Sequence, residues 1–228
     1  MRNFSFTLIL LVLFPVHAFA YEVPERDYWR AFALSLINKS REEQNLKPLG
    51  LDASLNTLAQ GHAIDSSLHF DESSIESIVS SYIVHMSSDG RTLLDRTRDE
   101  NITHLRKIGE NVGFRARSGF SNVHRAIEES LHVLHNSMME EVPPDDSHRV
   151  TILTPEYTHV GVGLELHHTS GKNKNRVFLV TNFAIFTDGR ERFIPEVGLR
   201  PDILKRIHQV RMRVMERLKR RGIDTASQ

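Results

Sequence analysis

The chain has 228 residues, of which 39% are apolar and 25% charged, and its formal net charge is zero. This composition is ordinary for a globular protein with its own core and argues against a disordered chain. The charge is unevenly distributed, because residues 21–196 carry 19 Lys and Arg against 26 Asp and Glu, a net −7. Residues 197–228 carry 9 against 3, a net +6. A mildly acidic body therefore precedes a basic tail.

The first twenty residues have the pattern of a secretory signal peptide. Arg2 provides a positive start, residues 6–16 are largely apolar, and Ala18-Phe19-Ala20 has the small residues of a cleavage site. The apolar run is shorter than the roughly 20 residues that a membrane-spanning helix needs. We expect cleavage near Ala20 and export to the periplasm or the extracellular space. Because the chain has no cysteine, its fold must hold without disulfides, which favours a bacterial exported protein.

Helical periodicity dominates the first part of the chain. Apolar residues at helical spacing predict an amphipathic helix over residues 28–41, with Asp27 as its N-cap. A second helix is predicted over residues 53–68, with Asp52 as its N-cap. Residues 73–88 are rich in serine and read as part helix and part loop.

The second part of the chain predicts one more helix and then a hairpin. The helix has Ser121 or Asn122 as its N-cap and ends before Pro143. Strands are predicted over residues 159–167 and 176–186, where β-branched and apolar residues alternate or cluster. Helices followed by a late hairpin favour an α+β layered fold. The apolar stripe of the helix consists of Val123, Ile127, Leu131, Leu134 and Met138.

Short polar motifs follow one another in a recognisable order. They are Leu55-x-x-Leu58-Ala59-x-x-His62-Ala63-x-Asp65, His85-x-x-x-Asp89-Gly90-Arg91 with Arg96, Gly109-Glu110-Asn111-Val112, Ser147-His148-Arg149-x-x-Ile152-Leu153, Val160-Gly161-Val162-Gly163 and Asn182-Phe183. In this order they resemble the CAP superfamily, which comprises cysteine-rich secretory proteins, insect venom antigen 5 and plant pathogenesis-related proteins. The resemblance is to its bacterial branch and extends over about residues 28–186.

The resemblance implies a fold and a division of the chain. The fold is a three-layer α-β-α sandwich, in which a small antiparallel sheet lies between helical layers. The signal peptide would occupy residues 1–20, the CAP domain residues 21–190 and a C-terminal extension residues 191–228.

The resemblance also implies a cleft with two histidines and acidic partners. His85 and His148 match the two histidines, and Glu110 matches the first glutamate. The second glutamate of many family members is missing, because Ser137 stands where that acid would fall. From the residues alone, Glu110 can equally bind backbone amides and brace a turn.

The third helix carries a further polar set, His124, Glu128, His132 and His135, which lies beside the apolar stripe. Such pairs can chelate a divalent cation, but the favoured interpretation is the solvated edge of an amphipathic helix. His135 is a candidate replacement for the missing acid. Most other histidines are interpreted as structural or surface residues, namely His62, His69, His104, His167 and His168.

Three classes of function remain open. The favoured one is a binding module for a small ligand, a lipid, a cell-wall component or a protein, with zinc or another divalent cation optionally held by His85 and His148. The second is a metal-dependent hydrolase in which the same histidines are ligands and Glu110 is the base. The third is a structural or interaction protein with a vestigial cleft. No nucleophile elbow, zincin helix or phosphate loop supports catalysis.

The basic tail predicts an amphipathic helix over residues 203–221. Two partners remain open for it, the acidic body of the same chain and an anionic membrane surface. Nucleic acid is an unsuitable partner for an exported protein.

Overall fold

The computed structural model describes residue 23 and residues 25–69, 84–117, 122–168 and 175–195. The predicted signal peptide, most of the serine-rich segment, the hairpin loop and the tail lie outside these residues. The helices of the described part are α1 (Arg26–Glu43), α2 (Ala53–His69), α3 (Leu93–Asp99), α4 (Val123–Met139) and α5 (Ser147–Leu153). Its strands are β1 (Gly50–Leu51), β2 (Leu105–Arg117), β3 (His159–His168) and β4 (Asn175–Phe186).

The four strands of the described part form one sheet in the order β1-β3-β4-β2. The pairs β3–β4 and β2–β4 are antiparallel, and the two-residue β1 pairs in parallel with β3. Helix α2 packs on one face of the sheet, and α1, α4 and α5 pack on the other. The three-layer α-β-α sandwich is thereby confirmed.

Helix α2 lies unusually close to β3, and two glycines make this possible. A Cβ atom on Gly161 would lie 2.1 Å from the backbone of Leu55, and one on Gly163 would lie 2.2 Å from the carbonyl of Ala59. Any side chain at these positions would push the helix away from the sheet. The Gly-x-Gly sequence therefore sets the distance between the first helical layer and the sheet.

The helix starts show which sequence signals were decisive. Asp52 caps α2 by accepting a 3.0 Å bond from the Leu55 amide, and Asn122 caps α4, as predicted. The prediction that Asp27 caps α1 is wrong. The helix begins at Arg26, and the Asp27 carboxylate lies within its first turn, where it accepts a 2.8 Å hydrogen bond from Arg30.

The end of α1 is tied to α5 by a buried guanidinium. Arg41 is fully buried, and its nitrogens donate to the carbonyl oxygens of Lys47, Ile152 and Thr154 at 2.8 to 2.9 Å. Burial lowers the pKa of Arg41 from its usual value. One side chain thereby joins α1, the segment before β1 and the C-terminal end of α5.

Candidate functional site

The Glu110 carboxylate on β2 is the most extensively bonded acid of the candidate site. Its side chain is 2% exposed. It accepts hydrogen bonds at 2.9 to 3.1 Å from His85 Nδ1, from both terminal nitrogens of Arg96 and from the Asn182 amide. These four donors match the roughly four lone-pair sites of an ionised carboxylate.

Electrostatics keep this buried acid ionised. Burial alone would raise the pKa of Glu110, but the hydrogen bond from His85 and the charge of Arg96 outweigh it and lower the pKa to about 2. An ionised carboxylate can only accept hydrogen bonds, so His85 must donate from Nδ1. The His85 ring is 33% exposed, and Nε2 is the nitrogen left for a ligand.

The backbone around His85 is held by α2 on its other side. His62 donates from Nε2 to the Val84 carbonyl at 3.0 Å. Three residues further along α2, Asp65 accepts from the amide of Ser88 at 2.8 Å and from the hydroxyl of the same residue. Both side chains lie on one helical face, so α2 fixes the segment that presents His85.

The sequence interpretation of His62 as a structural residue did not predict that it lies beside Glu110. Its Nε2 lies 3.8 Å from Glu110 Oε1, and its side chain is 1% exposed. Burial lowers its pKa, with a smaller opposing effect from the Glu110 charge. His62 therefore stands behind the His85–Glu110 pair as a buried neighbour.

His148 has an acidic partner that sequence reasoning missed. Its Nδ1 donates to Glu141 at 2.5 Å, and the second oxygen of this carboxylate accepts from the His148 amide at 3.0 Å and from the Arg149 amide at 3.4 Å. Glu141 lies in the acidic segment between α4 and α5. The sequence signal that could have identified this partner is an acid seven residues before His148. Ser137, which stands where the family resemblance places the second acid, is exposed.

The segments that carry the two histidines both contact the edge strand β2. Side chains alternate along a strand, so Glu110 points towards α2 and Asn111 towards α5. The Asn111 amide donates to the His148 carbonyl at 3.0 Å, while Glu110 accepts from the His85 ring at 3.0 Å. Consecutive residues of an edge strand thus position both histidines. Within the described residues, no group of three or more His, Cys, Asp or Glu side chains is arranged to hold a metal ion.

The structure places His135 elsewhere, on the sheet face opposite Glu110. Its Nε2 is hydrogen-bonded to Ser40 Oγ at 2.8 Å. It borders a cavity of about 10 Å³, lined also by Leu131, Met138 and Thr181, which has room for roughly one water molecule. This cavity cannot take a lipid chain, and His135 does not contact Glu110.

The solvated-edge interpretation of the α4 histidines holds for His124, which is exposed, but is wrong for His132 and His135, which face α1. The ring of His132 lies edge-on to an aromatic ring of α1, and His135 is 7% exposed. The physical reason is that the surface of α4 that contacts α1 is wider than the apolar stripe of α4, so polar residues beside the stripe are also covered. The contacts are His124 with Trp29 at 5.8 Å between ring centres, His132 with Phe32 at 5.2 Å, and His135 with Ser40.

This packing predicts acid sensitivity. Burial lowers the pKa of both His132 and His135 to about 4, whereas the unfolded chain protonates them near 6.5. Between these values the unfolded state binds more protons, so stability should fall as the pH drops from 6.5 to 4, by on the order of 3 kcal/mol for each histidine. Urea unfolding of the wild type and of His135→Gln across this range measures the effect, and the variant should lose less. His69→Gln, at an exposed position, is the control, and an equal pH slope in all three proteins would contradict the prediction.

No described helix is long and apolar enough to span a membrane.

Comparison with known proteins gives one family and several structural likenesses, and no curated protein matches the chain. The chain is similar to an extracellular protein with an SCP domain from Bacillus anthracis, with 22% identity and a TM-score of 0.44 over 69% of this chain and 40% of that one. It is also similar to an outer surface protein of Borrelia burgdorferi, with 16% identity and a TM-score of 0.46 over 75% and 99%.

A third likeness is to a cysteine-rich secretory protein of Staphylococcus aureus, with 19% identity and a TM-score of 0.40 over 71% of this chain. This chain spans 40% of the length of the Bacillus and Staphylococcus proteins. The model of the cysteine-rich secretory protein family, CAP, matches residues 34–183, which is more than half of the chain. Although it contains no cysteine, the chain therefore belongs to the CAP family.

Proposed function

We propose that this chain is an exported CAP-domain binding module whose site is formed by His85 and His148 beside β2. One observation carries the proposal: the buried, ionised Glu110 accepts from Nδ1 of the partly exposed His85 ring, so Nε2 is the ring nitrogen available to a ligand. His148 repeats this arrangement with Glu141, and its ring is 29% exposed. Two rigidly oriented imidazoles in partly exposed positions are suited to binding.

The chemistry of these groups fits a divalent cation such as zinc. Histidines that bind metals usually donate their second ring nitrogen to a carboxylate or carbonyl, which fixes the tautomer and the ring orientation. His85 and His148 both have this carboxylate partner. When bound, the cation would supply a Lewis-acidic centre for a ligand oxygen, and Nε2 of each histidine would be the protein atom that coordinates it. A small ligand, a lipid headgroup, a cell-wall component or a protein side chain can provide such an oxygen.

A hydrolase with Glu110 as general base is less well supported. A base must accept a proton near neutral pH and reach the reacting water. The pKa of Glu110 is lowered to about 2, and its four acceptor positions are used within the protein. The geometry therefore favours a positioning role for Glu110, and binding over catalysis.

Export is the second part of the proposal. It is supported by the signal-peptide pattern of residues 1–20 and by the extracellular or outer-surface nature of the similar bacterial proteins. Only an exported protein would meet cell-wall components.

Zinc titration by calorimetry tests the site. We expect binding to the wild type, and a loss of affinity of about tenfold or more in His85→Ala and in His148→Ala. Glu141→Gln should lose about 10- to 100-fold, because it removes the carboxylate that orients His148. His69→Ala, a histidine on α2 with a 58% exposed side chain, is the matched control and should bind as the wild type does. Unchanged affinity in both alanine variants, or no heat with the wild type, would overturn the proposed metal site.

A further inference from the structure

An exposed groove runs along α5, the helix that also carries His148. It is lined by Asp146, Arg149, Val150, Leu153, Thr154 and Pro155. Val150 is 54% exposed at the groove, and Val142 in the preceding loop is 52% exposed. Exposed aliphatic side chains framed by polar groups are a feature of interaction surfaces, and Val150 with Leu153 provides them in the groove.

The surroundings of the groove are acidic. Arg41 binds the carbonyl oxygens at the C-terminal end of α5, so the exposed carboxylates that follow Arg41 in the chain flank that end of the helix. Other carboxylates lie in the loop that leads into its N-terminal end. Arg149 in the groove offsets part of this negative charge. The acidic residues are Glu42, Glu43, Glu140, Asp145, Asp146 and Glu156.

The tail of the same chain has the complementary pattern. Residues 197–228 carry a net charge of +6, and the sequence predicts an amphipathic helix over residues 203–221. Its apolar stripe consists of Ile203, Ile207, Val210, Val214 and Leu218. Its basic residues are Lys205, Arg206, Arg211, Arg213, Arg217, Lys219, Arg220 and Arg221. An apolar stripe flanked by cations matches an apolar groove flanked by carboxylates.

The described part of the chain ends close enough to the groove for the tail to reach it. Arg192 donates to the Pro48 carbonyl at 3.3 Å. The carbonyl oxygen of the preceding residue, Lys47, accepts a hydrogen bond from Arg41. Arg41 also donates to the carbonyl oxygen of Thr154, at the end of the groove. Residues 196–202, if extended, reach at most about 3.3–3.6 Å per residue, or roughly 25 Å.

We propose that residues 203–221 dock into the α5 groove of their own chain. The docked tail covers the exposed valines, and its apolar stripe is then buried within the molecule. An anionic membrane is the competing partner for the same basic stripe, and it would draw the tail away from the groove.

Disulfide trapping tests the docking in the full mature chain, because the protein has no cysteine of its own. The pair V150C/V210C places one thiol in the groove and one in the predicted apolar stripe. The matched control is I64C/V210C, since Ile64 is an aliphatic residue of α2, 41% exposed, on the opposite side of the sheet. We expect the groove pair to form an intramolecular disulfide about tenfold faster or more, because docking raises the effective concentration of the two thiols.

Charge reversal supplies the second measurement. Adding D145K/D146K to the groove pair should slow trapping severalfold, because the rim then repels the basic tail. Adding E100K, at an exposed position after α3, should leave the rate unchanged. Equal rates for the groove and control pairs, disulfides formed only between molecules, or no effect of the rim reversal would overturn the proposal. Faster trapping of the groove pair that anionic vesicles abolish would show that lipid is the preferred partner, which also overturns it.

Discussion

Replacing Glu110 with glutamine should lower the free energy of unfolding by about 3–5 kcal/mol, the usual effect of removing one partner of a buried ion pair. The substitution leaves Arg96, 6% exposed, with a buried charge and no carboxylate. It also replaces one oxygen that accepts from His85 or Arg96 by an amide donor. Urea unfolding of the purified variant at neutral pH measures the loss.

A double-mutant cycle separates this ion pair from general damage to the site. If the pair accounts for the loss, Arg96→Met combined with Glu110→Gln should be less destabilised than the sum of the two single variants, since neither charge remains. Additive losses would mean that the two residues act independently, contrary to the four-donor arrangement. The wild type should also lose stability as the pH falls from 4.5 towards 2, because the pKa of Glu110 is lowered in the folded state. The glutamine variant lacks that contribution.

Arg41→Met should also be strongly destabilising, by about 3 kcal/mol or more, for a different reason. The buried guanidinium has backbone carbonyls as its acceptors, including those of Ile152 and Thr154 at the end of α5. Methionine keeps part of the volume but leaves these carbonyls without their donor. Thermal and urea unfolding of the variant, with circular dichroism as the probe, measure the effect.

The matched control is Arg98→Met on α3. Its side chain is 73% exposed and pairs with Asp95 three residues earlier, an interaction that contributes little at the surface. We expect no measurable change in this variant. A loss in Arg98→Met equal to that in Arg41→Met would contradict the role assigned to the buried guanidinium.

The helices were predictable because one face of each is buried and the other is not, and periodicity records that difference, as in α2. The hairpin strands β3 and β4 are buried on both faces, and their β-branched and apolar residues were the signal that predicted them. Strand β2 lacked this signal. It buries Asn111 and the side chain of Glu110, so its polar residues do not mark a solvated face. Helix α3 was missed although Thr92 and Asp95 form a capping box.

The candidate site was predictable only in part, because its partners come from distant segments. The family resemblance identified His85, Glu110 and His148 as cleft residues and included Arg96 and Asn182 among its matches. It did not predict that Arg96 and Asn182, which are 14 and 72 residues from Glu110, donate to that carboxylate. The hydrogen bonds to Glu110 depend on the packing of α3 and β4 against β2. Glu141 was missed since the family pattern directed attention to Ser137. His135 was a candidate by sequence, but the packing of α4 on α1 decides its position.

NMR of the imidazole nitrogens, recorded at neutral pH with and without zinc, tests the arrangement of the two histidines most directly. The structure predicts that Nδ1 of His85 and of His148 carries the proton, and that zinc shifts Nε2 of these two rings while His69 is unchanged. Protons on Nε2 of both rings, or zinc-induced shifts confined to other histidines, would contradict the proposal that carboxylate-held histidines form the binding site.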